Sequence, residues 1–491
     1  MTCSHPETAR DSFERIFHPE SIAIMGVSEK WNLFGNGVLD SHLEIGFPGT
    51  IYPVNSRGGQ YRDLKIYTTL DEIPEPVDFA IIAVPADAVP PALEQCRQKG
   101  VAGAEVLSAG FSETGTAEGA SLEREIQEIA ARGIRVIGPN CFGIYCPESG
   151  LTMLPGADFS REKGPVAFTS QSGGMSADFA QIGKWMGVRF SKVISFGNGA
   201  DLRENELLNY FGQDPETKII TMYIEGVKEG REFLEVLKQA SREKPVIINK
   251  GGLSEAGSRA VESHTASLGG SRVIWESVLR QAGAIQVGDL WELAQAALAF
   301  SMLPIREYRG ITFAGAGGAF GVSAGDSAER FGMELPLLDS EISEKIMEVL
   351  PRPGSSARNP IDAANPFTGP QAYREAFLQA AKDPRVDIQV LIQLLHHYKS
   401  LALGFGLPVK DVVPFREFAE VCREVVDITG KPILLVLPDY KQGQDSMDIE
   451  AIIRETRDVF LKHGIPVYSD IDEALRSVSH VSRYASWKAR L

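Results

Sequence analysis

The sequence predicts an α/β protein built from three doubly wound units. Short β-rich runs alternate with longer helical patterns along the chain, and each unit opens with a strand that leads into a glycine turn. The length of 491 residues suits about three domains of roughly 150 residues each. Because such alternation is typical of a parallel sheet covered by helices on both faces, we predict domains over residues 10–150, 151–303 and 304–491.

The first unit contains five short apolar runs. Runs of this length that are apolar on both faces are typical of buried parallel strands. Two of the intervening segments, 92–100 and 121–133, have helical patterns, and the second runs to Gly133, a residue type that often ends helices. The five predicted strands cover residues 21–27, 50–54, 78–84, 103–109 and 134–138.

The second and third units repeat the same alternation. The predicted strands of the second unit are 165–170, 192–197, 219–226, 245–252 and 284–287. Those of the third unit are 311–318, 387–395, 432–438 and 465–470. Strands alternating with helices favour βαβ units, so we expect mainly parallel sheets here too.

The charge balance excludes some partners. A net charge of −16 follows from 49 Lys and Arg against 65 Asp and Glu. That balance argues against a nucleic-acid or anionic-membrane surface, because both need clustered basic residues. A small anionic ligand stays possible, since backbone N–H groups at helix ends can bind phosphate in an acidic protein.

Several features favour a cytoplasmic protein. No stretch approaches the about 18–20 apolar residues of a membrane span, and residues 1–17 carry acidic groups and no apolar core, unlike a secretory signal. The five cysteines are odd in number and scattered, which favours free thiols in a reducing compartment. Cys141 and Cys146 are close, but no second Cys/His pair completes a site, so we expect no bound metal.

The first strand leads into a turn that contains Gly26, Gly35 and Gly37. Glycines there let the backbone approach a phosphate at the next helix. The G-x-G-x-x-G spacing of NAD sites is absent, and Asn55 stands where such a site places an acidic residue. No P-loop sequence is present either. A different nucleotide-containing cofactor fits better; the alternative is a glycine turn without a ligand.

The ordered set of motifs resembles the NDP-forming acyl-CoA synthetases, the superfamily that includes the α subunit of succinyl-CoA synthetase. In the first unit the matching runs are SIAIMGVSEKWN, IYPVNSRG, DFAIIAVPADAVPPAL, LSAGFSE and GPNCFG. In the second they are PVAFTSQSGGMS, SFGNGADL, YIEGVKEG and ESHTASLGG. The unit from residue 309 resembles the third domain, which is fused to the α subunit in ADP-forming acetyl-CoA synthetases.

The resemblance implies a Rossmann-like CoA-binding domain followed by two flavodoxin-like CoA-ligase domains, of which the first carries a phosphohistidine loop. It also implies a CoA site formed by the first turn and by the ends of the later strands of the first domain. The matching positions are Gly26, Val27, Ser28, Lys30, Asn32, Val54, Asn55, Arg57, Val84, Pro85, Ser108, Gly110, Asn140 and Cys141. Lys30 and Arg57 are candidate partners for the CoA phosphates, or solvated surface cations.

His264 is the candidate nucleophile. It lies in a segment rich in small residues, which predicts a flexible loop, and a histidine on such a loop suits a nucleophile that visits two places. Spacing alone fits equally well a polar loop histidine that has no catalytic role. The resemblance implies that His264 carries a transient phosphate, and that Glu225 holds its imidazole by a hydrogen bond. The alternative for Glu225 is an exposed carboxylate at a strand end.

Two glycine turns are candidate phosphate sites. Each follows a strand and opens a helix, where free N–H groups and the helix dipole favour an anion; the alternative is a capped helix start. The first comprises Ser170, Gln171, Ser172, Gly173 and Gly174, and the second includes Gly317 and Gly318. The resemblance implies that the two helices face each other across the phosphate. Asn198, Asn359 and Asp362 are polar candidates near the thioester.

The resemblance implies an ADP-forming acyl-CoA synthetase that interconverts acyl-CoA, ADP and phosphate with carboxylic acid, CoA and ATP, through acyl phosphate and phosphohistidine. The length of the chain leaves no room for an ATP-grasp domain. We therefore expect ATP, ADP and Mg²⁺ to bind mainly to a separate ATP-grasp β subunit, usually in an α2β2 heterotetramer.

Two other functions are alternatives to this interpretation. One is a CoA-binding regulatory or scaffold protein without catalysis, which the joint presence of Glu225, His264 and the serine–glycine turn disfavours. The other is an NAD(P)-dependent oxidoreductase, which Asn55 and the absent dinucleotide spacing disfavour.

Overall fold

The computed structural model describes residues 9–154, 156–259 and 271–491. The chain divides into two compact units, Met1–Ala297 and Leu298–Leu491. The first unit contains two large sheets and the second contains one. The predicted α/β class with mainly parallel sheets is confirmed.

The first sheet is wholly parallel and has the strand order β2-β1-β5-β6-β7. A separate antiparallel hairpin, β3 and β4, follows its second strand. The strands in chain order are β1 (Ser21–Met25), β2 (Thr50–Val54), β3 (Gly59–Tyr61), β4 (Leu64–Ile66), β5 (Phe79–Ile82), β6 (Gly103–Val106) and β7 (Arg135–Ile137).

The second sheet has the order β13-β12-β11-β9-β10-β8. Five of its strands are parallel, and β8 pairs antiparallel with β10 at the edge. The strands are β8 (Gly143–Tyr145), β9 (Lys163–Ser170), β10 (Phe190–Ser195), β11 (Ile219–Ile224), β12 (Val246–Lys250) and β13 (Ile285–Val287). Residues 143–145, which fall within the predicted first domain, thus join the second sheet.

The third sheet, in the second unit, is parallel and has the order β15-β14-β16-β17-β18. Its strands are β14 (Ile311–Gly315), β15 (Ile361–Asp362), β16 (Ile388–Ile392), β17 (Ile433–Val436) and β18 (Val467–Tyr468).

Helices connect these strands. In the first unit they are Ala9–Phe17, Gly35–Ile45, Val89–Lys99, Ala117–Ala130, Gly173–Met186, Glu204–Gln213, Gly230–Glu243 and Arg272–Ala282. The helix Leu290–Met302 crosses the division between the units. In the second unit they are Gly318–Arg330, Ser340–Val349, Pro370–Ala380, Tyr398–Phe405, Phe415–Thr429, Met447–Lys462 and Ile471–Lys488. Among the residues that the structure describes, none of the helices is long and apolar enough to cross a bilayer.

The three sheets share one topology. In each, counting parallel strands in chain order, the spatial order is 2-1-3-4-5, so the direction of winding changes beside the first strand. Ligands of doubly wound folds bind at the carboxyl ends of the strands at this switch point. The three predicted glycine turns follow β1, β9 and β14, which are the strands at the three switch points.

One buried cluster joins the two sheets of the first unit. Apolar side chains of the first sheet, such as Ile24, and of the second, such as Ile194 and Ile248, belong to it. Arg135 at the start of β7 donates to both carboxylate oxygens of Asp201, at 2.9 and 3.2 Å. This shared core explains why the two sheets form one compact unit.

Candidate functional site

A cavity of about 530 Å³ lies at the carboxyl ends of strands from both sheets of the first unit. Its wall combines the ends of β5, β6 and β7 with the turn after β9 and with Asn198 after β10. The structure therefore brings part of the predicted CoA-binding set next to the predicted phosphate turn. The lining residues in these two sets are Val84, Pro85, Ser108, Asn140, Cys141, Gln171, Ser172, Gly173 and Gly174.

The first glycine turn is held by its own side chains. Gly26 has a φ of +114°, and a side chain there would meet the backbone of Ala83, so only glycine fits. Asn32 donates to the Gly26 carbonyl at 3.2 Å and to Ser28 Oγ at 3.1 Å, and accepts from Gly35 N at 2.7 Å. Val27 is buried beneath the turn. The turn is thus a preformed loop.

Asn36 was not predicted as part of this turn. Its Oδ1 accepts from Ser28 N at 3.2 Å and from Asn32 Nδ2 at 2.7 Å, and its Nδ2 donates to the Ser28 carbonyl at 2.8 Å. The side chain is fully buried. The only sequence signal was a polar residue in the first turn of the helix Gly35–Ile45.

The predicted residues after β2 form a tight turn. Asn55 Oδ1 accepts from Arg57 N at 3.0 Å, and Val54 is buried at the strand end. The side chains of Lys30 and Arg57 are exposed. Exposed cations beside a preformed glycine turn can meet an anionic ligand without a large desolvation cost.

Ser108 and Cys141 line the far wall of the cavity, and Gly110 follows just behind it. Ser108 Oγ donates to the Val84 carbonyl, which ties the ends of β5 and β6 together. Gly110 N donates to Glu113 Oε1 at 2.6 Å. Burial raises the pKa of the Cys141 thiol well above its usual value, so Cys141 can contribute backbone and shape but not a thiolate.

Asn198 connects this wall to two carboxylates. Its Oδ1 accepts from Asn140 Nδ2 at 3.3 Å, and its Nδ2 donates to Glu113 at 2.6 Å and to Glu123 at 2.9 Å. Asn140 has a φ of +56°. The two glutamates were not predicted as site residues: Glu113 ends the run LSAGFSE, but both contacts depend on Asn198, which is far away in sequence.

The turn after β9 has the features of an anion site. Ser172 caps the helix Gly173–Met186 by accepting from Met175 N at 3.4 Å. The amides of Gly173 and Gly174 belong to the first helical turn, where N–H groups have no intrahelical acceptor. Gly173 packs on the Phe142 ring, which a Cβ would approach to 2.6 Å. Two donors therefore point from the helix end toward the cavity.

Ser170 and Gln171 support this turn by hydrogen bonds, and Gln171 also lines the cavity. Ser170 Oγ donates to the Ser172 carbonyl at 2.8 Å and accepts from Ser172 N at 3.0 Å. The Gln171 amide donates to the Gly226 carbonyl and accepts from the Glu225 and Gly226 amides. Gln171 thereby fixes the end of β11, which carries Glu225, against the turn.

Glu225 is buried, at 7% exposure. Its Oε1 accepts from the Tyr223 hydroxyl at 3.3 Å, whereas Oε2 has no hydrogen-bond partner among the residues that the structure describes. A buried carboxylate oxygen without a partner is costly, so Oε2 is suited to accept from a further donor. The predicted donor, His264, lies outside the described residues.

Lys250 was not predicted as a site residue. It ends β12, is 4% exposed, and donates to the Glu225 carbonyl at 2.7 Å. Burial lowers the pKa of Lys250 to about 8, against the opposing effect of the Glu225 carboxylate. In the sequence, the only signal for Lys250 was its position shortly before the segment that contains His264.

The second glycine turn lies at the switch point of the third sheet. Gly317 N donates to Asp362 Oδ1 at 3.0 Å, and both Gly317 and Gly318 are exposed. Asn359 is used internally, since its amide donates to the carbonyls of Ile311 and Pro336. His396 and His397 follow β16, and their ring centroids lie 4.1 Å apart with the ring planes tilted by 38°.

Two family models match the first unit. Residues 20–147 match a CoA binding domain, and residues 163–300 match a succinyl-CoA ligase like flavodoxin domain.

Named relatives cover nearly the whole chain. The α subunit of the ADP-forming acetate–CoA ligase I of Pyrococcus furiosus is 34% identical over 98% of this chain and 99% of the relative. The ADP-forming acetate–CoA ligase I of Archaeoglobus fulgidus is 35% identical over 97% of this chain, but only 64% of that relative is covered. The structure of the dinucleotide-forming acetyl-CoA synthetase 1 of Ca. Korarchaeum cryptofilum, in complex with phosphate and ADP, matches with a TM-score of 0.80 and 29% identity over 97% of both chains.

Proposed function

Because this chain belongs to the family of ADP-forming acyl-CoA synthetases, which are acid–thiol ligases, we propose that it is an α subunit that performs the acyl and phosphohistidine half of the reaction. The observation that carries the proposal is the cavity in which the predicted CoA wall meets the helix start at Gly173 and Gly174. A thioester bound along the predicted CoA-binding residues would have its carbonyl group beside the Gly173 and Gly174 amides, which are suited to bind phosphate.

The first proposed step is acyl transfer. Inorganic phosphate bound at the turn attacks the thioester carbonyl, the carbon–sulfur bond breaks, and acyl phosphate and CoA thiol form. The Gly173 and Gly174 amides hold the phosphate oxygens, while Asn140 and Asn198 face the same cavity and can orient the thioester. Such positioned donors lower the barrier by preorganisation rather than by covalent chemistry.

The second proposed step is phosphoryl transfer to His264. Nε2 attacks phosphorus, the bond from phosphorus to the acyl oxygen breaks, and the carboxylate leaves. The imidazole Nδ1–H needs an acceptor to hold its tautomer, and the unpartnered Glu225 Oε2 supports this role. The phosphohistidine then passes its phosphoryl group to ADP, and every step is reversible.

We further propose that nucleotide and Mg²⁺ bind to an ATP-grasp β subunit in a cytoplasmic α2β2 assembly. Two relatives are named as α subunits, which supports a partner. The Archaeoglobus relative, of which about a third lies outside the match, supports the same division of labour within one longer chain. The exposed helix start at Gly317 and Gly318 is a second proposed phosphate contact.

The test uses the chain alone, with [³²P]phosphate and a panel of acyl-CoA thioesters that begins with acetyl-CoA. We expect an acid-labile, base-stable label on His264 that depends on acyl-CoA and vanishes in His264→Ala. Label that persists in His264→Ala would overturn the assignment. Tight CoA binding without label from any thioester would instead favour a non-catalytic CoA-binding protein.

A further inference from the structure

Lys250 occupies the junction between the buried sheet and the segment that leads to His264. It is the last residue of β12, and Gly251 follows it directly. We propose that Lys250 is a positioning residue of the phosphoryl-transfer site, whose ammonium holds Glu225 in place and offsets the negative charge that gathers there. The inference rests on the proposed function, because it assigns Lys250 to the Glu225–His264 pair.

The contacts of Lys250 point inward. Its Nζ donates to the Glu225 carbonyl at 2.7 Å and to the Gly251 carbonyl. These two bonds join the end of β11 to the first residue after β12. A lysine normally extends its ammonium into water, so folding the side chain back into a site where it is 4% exposed must be offset by these contacts.

One of the three N–H donors of the Lys250 ammonium is available to the proposed phosphoryl-transfer site. An ammonium has three N–H donors, and within the described part of the chain two of them have carbonyl acceptors. The Trp275 ring lies 5.0 Å from Nζ and provides a further favourable contact for a cation. The third N–H can therefore serve the Glu225 carboxylate or a phosphoryl oxygen without loss of the existing bonds.

The charges around Lys250 are mostly negative. Glu225 acts on it electrostatically, and the Tyr223 hydroxyl bonds to that carboxylate. Asp178 and Asp289 line the same open cavity of about 660 Å³ as Lys250. The proposed function brings a phosphoryl group on His264 to Glu225, which would add further negative charge, so a fixed cation here stabilises the phosphorylated state.

The charge of Lys250 is sensitive to pH near neutrality. Burial lowers its pKa to about 8, so the ammonium is present below that pH and is lost above it. A purely structural lysine with a lowered pKa would change the stability of the fold with pH, whereas a lysine that acts through its charge in the folded site also imposes an alkaline limit on the rate of phosphorylation. Arginine keeps its charge throughout this range and should remove that limit.

The experiment measures the rate of His264 phosphorylation from acetyl-CoA and [³²P]phosphate, or from the panel thioester that labels best, at pH 7.5 and pH 9. We expect the wild-type rate to fall about eightfold between these values, as the protonated fraction of a group with a pKa near 8 does. Lys250→Met should be at least tenfold slower at pH 7.5 and lose this pH dependence. Lys250→Arg should retain labelling and show a fall of less than about threefold.

Lys244→Met is the matched control. Lys244 also donates to two backbone carbonyls, those of Phe211 and Asp214, both at 2.6 Å. It precedes the opposite end of β12, and its pKa is likewise lowered by burial. We expect Lys244→Met to label at the wild-type rate with the wild-type pH ratio. CoA binding by calorimetry confirms that each variant is folded.

The outcomes separate the two proposals. If His264→Ala abolishes the label while Lys250→Met labels within twofold of wild type, the inference about Lys250 is wrong and the proposed function stands. If the labelling rate of Lys250→Arg falls between pH 7.5 and pH 9 by the same factor as that of wild type, the loss of charge on Lys250 does not cause this fall, and the inference is wrong. If His264→Ala still labels, the proposed function itself fails, whatever the Lys250 variants do.

Discussion

Glu225 combines burial with one carboxylate oxygen that lacks a partner among the described residues. Glu225→Gln keeps the shape of the side chain but replaces one carboxylate oxygen by an amide nitrogen. An amide nitrogen is a donor and cannot accept a hydrogen bond from an imidazole N–H. We expect phosphorylation of His264 to slow by about 10²–10⁴-fold, the range seen when a histidine loses its orienting carboxylate. Labelling kinetics measure this.

The control for Glu225 is Tyr223→Phe. The phenol only donates to the other carboxylate oxygen, at 3.3 Å, so its loss should slow labelling far less. CoA affinity should stay within about threefold in both variants, because neither side chain lines the proposed CoA cavity. Equal rates for wild type and Glu225→Gln would contradict the assigned role.

His42 gives the fold a specific sensitivity to acid. It is fully buried in the helix Gly35–Ile45, with Nδ1 2.8 Å from the Val38 carbonyl and Nε2 accepting from Thr152 N. Burial lowers its pKa from 6.5 to about 4. Between these values the unfolded chain binds more protons, so stability falls as the pH falls from 6.5 toward 4.

For His42 this linkage amounts to about 2 kcal/mol lost between pH 7 and pH 5. We expect the thermal midpoint of wild type to drop more over this interval than that of His42→Gln, which has no titratable ring. Differential scanning calorimetry at several pH values measures the two slopes. Parallel slopes would show that His42 does not titrate with folding.

At the residue scale, sequence reasoning located strand-end residues but not the side chains that support them. Asn32 and Glu225 were predicted as site residues because they belong to runs that follow strands in a recognisable order. Glu113, Glu123 and Lys250 were not, because their contacts join residues that are distant in sequence. Such partners depend on tertiary packing, which neither periodicity nor a local motif encodes.

The helix Gly173–Met186 begins with two glycines that have opposite surroundings. A Cβ on Gly173 would come within 2.6 Å of the Phe142 ring, whereas a Cβ on Gly174 would meet no atom within 4 Å. We expect Gly173→Ala to lower the thermal midpoint, since the ring must move. Gly174→Ala should raise stability by about 0.5–1 kcal/mol, because alanine favours a helix.

Calorimetry of both variants tests this pair, and each serves as the control of the other. The clash at Gly173 should also displace Phe142 from the cavity wall and weaken CoA binding, which titration calorimetry measures. Similar thermal midpoints for the two variants would show that the Phe142 contact does not constrain this helix start.

At the element scale, the interior parallel strands and most edge strands were predictable, whereas the edge strands β8 and β15 were not. Strands such as β5 and β11 are buried throughout and so consist of continuous apolar residues. The strands β8 and β15 have only three and two residues; β13 and β18 are equally short but lie in apolar runs that the sequence predicts as strands. Several predicted strands ran past their observed ends, because apolar residues such as Val84 continue into the turns that line the cavity.

At the scale of the whole molecule, the three sheets with one strand order place all three glycine turns at switch points. The sequence predicted the turns, but their shared topological position depends on strand order, which chain order alone does not specify. The net charge of −16 is compatible with the proposed anion sites because backbone amides would supply the donors.

The proposed division of labour with a partner subunit can be tested on the purified chain. The match covers 99% of the Pyrococcus α subunit and 64% of the Archaeoglobus relative. The region that matches this chain therefore makes up nearly all of one relative and about two thirds of a longer one. We expect the purified chain to bind CoA and to bind neither ATP nor ADP tightly. Adding an ATP-grasp β subunit should confer ATP-dependent consumption of CoA thiol on a carboxylic acid substrate, measured with a thiol reagent. His264→Ala paired with the same β subunit is the control and should consume none. ATP-dependent thioester formation by the chain alone would contradict the split site.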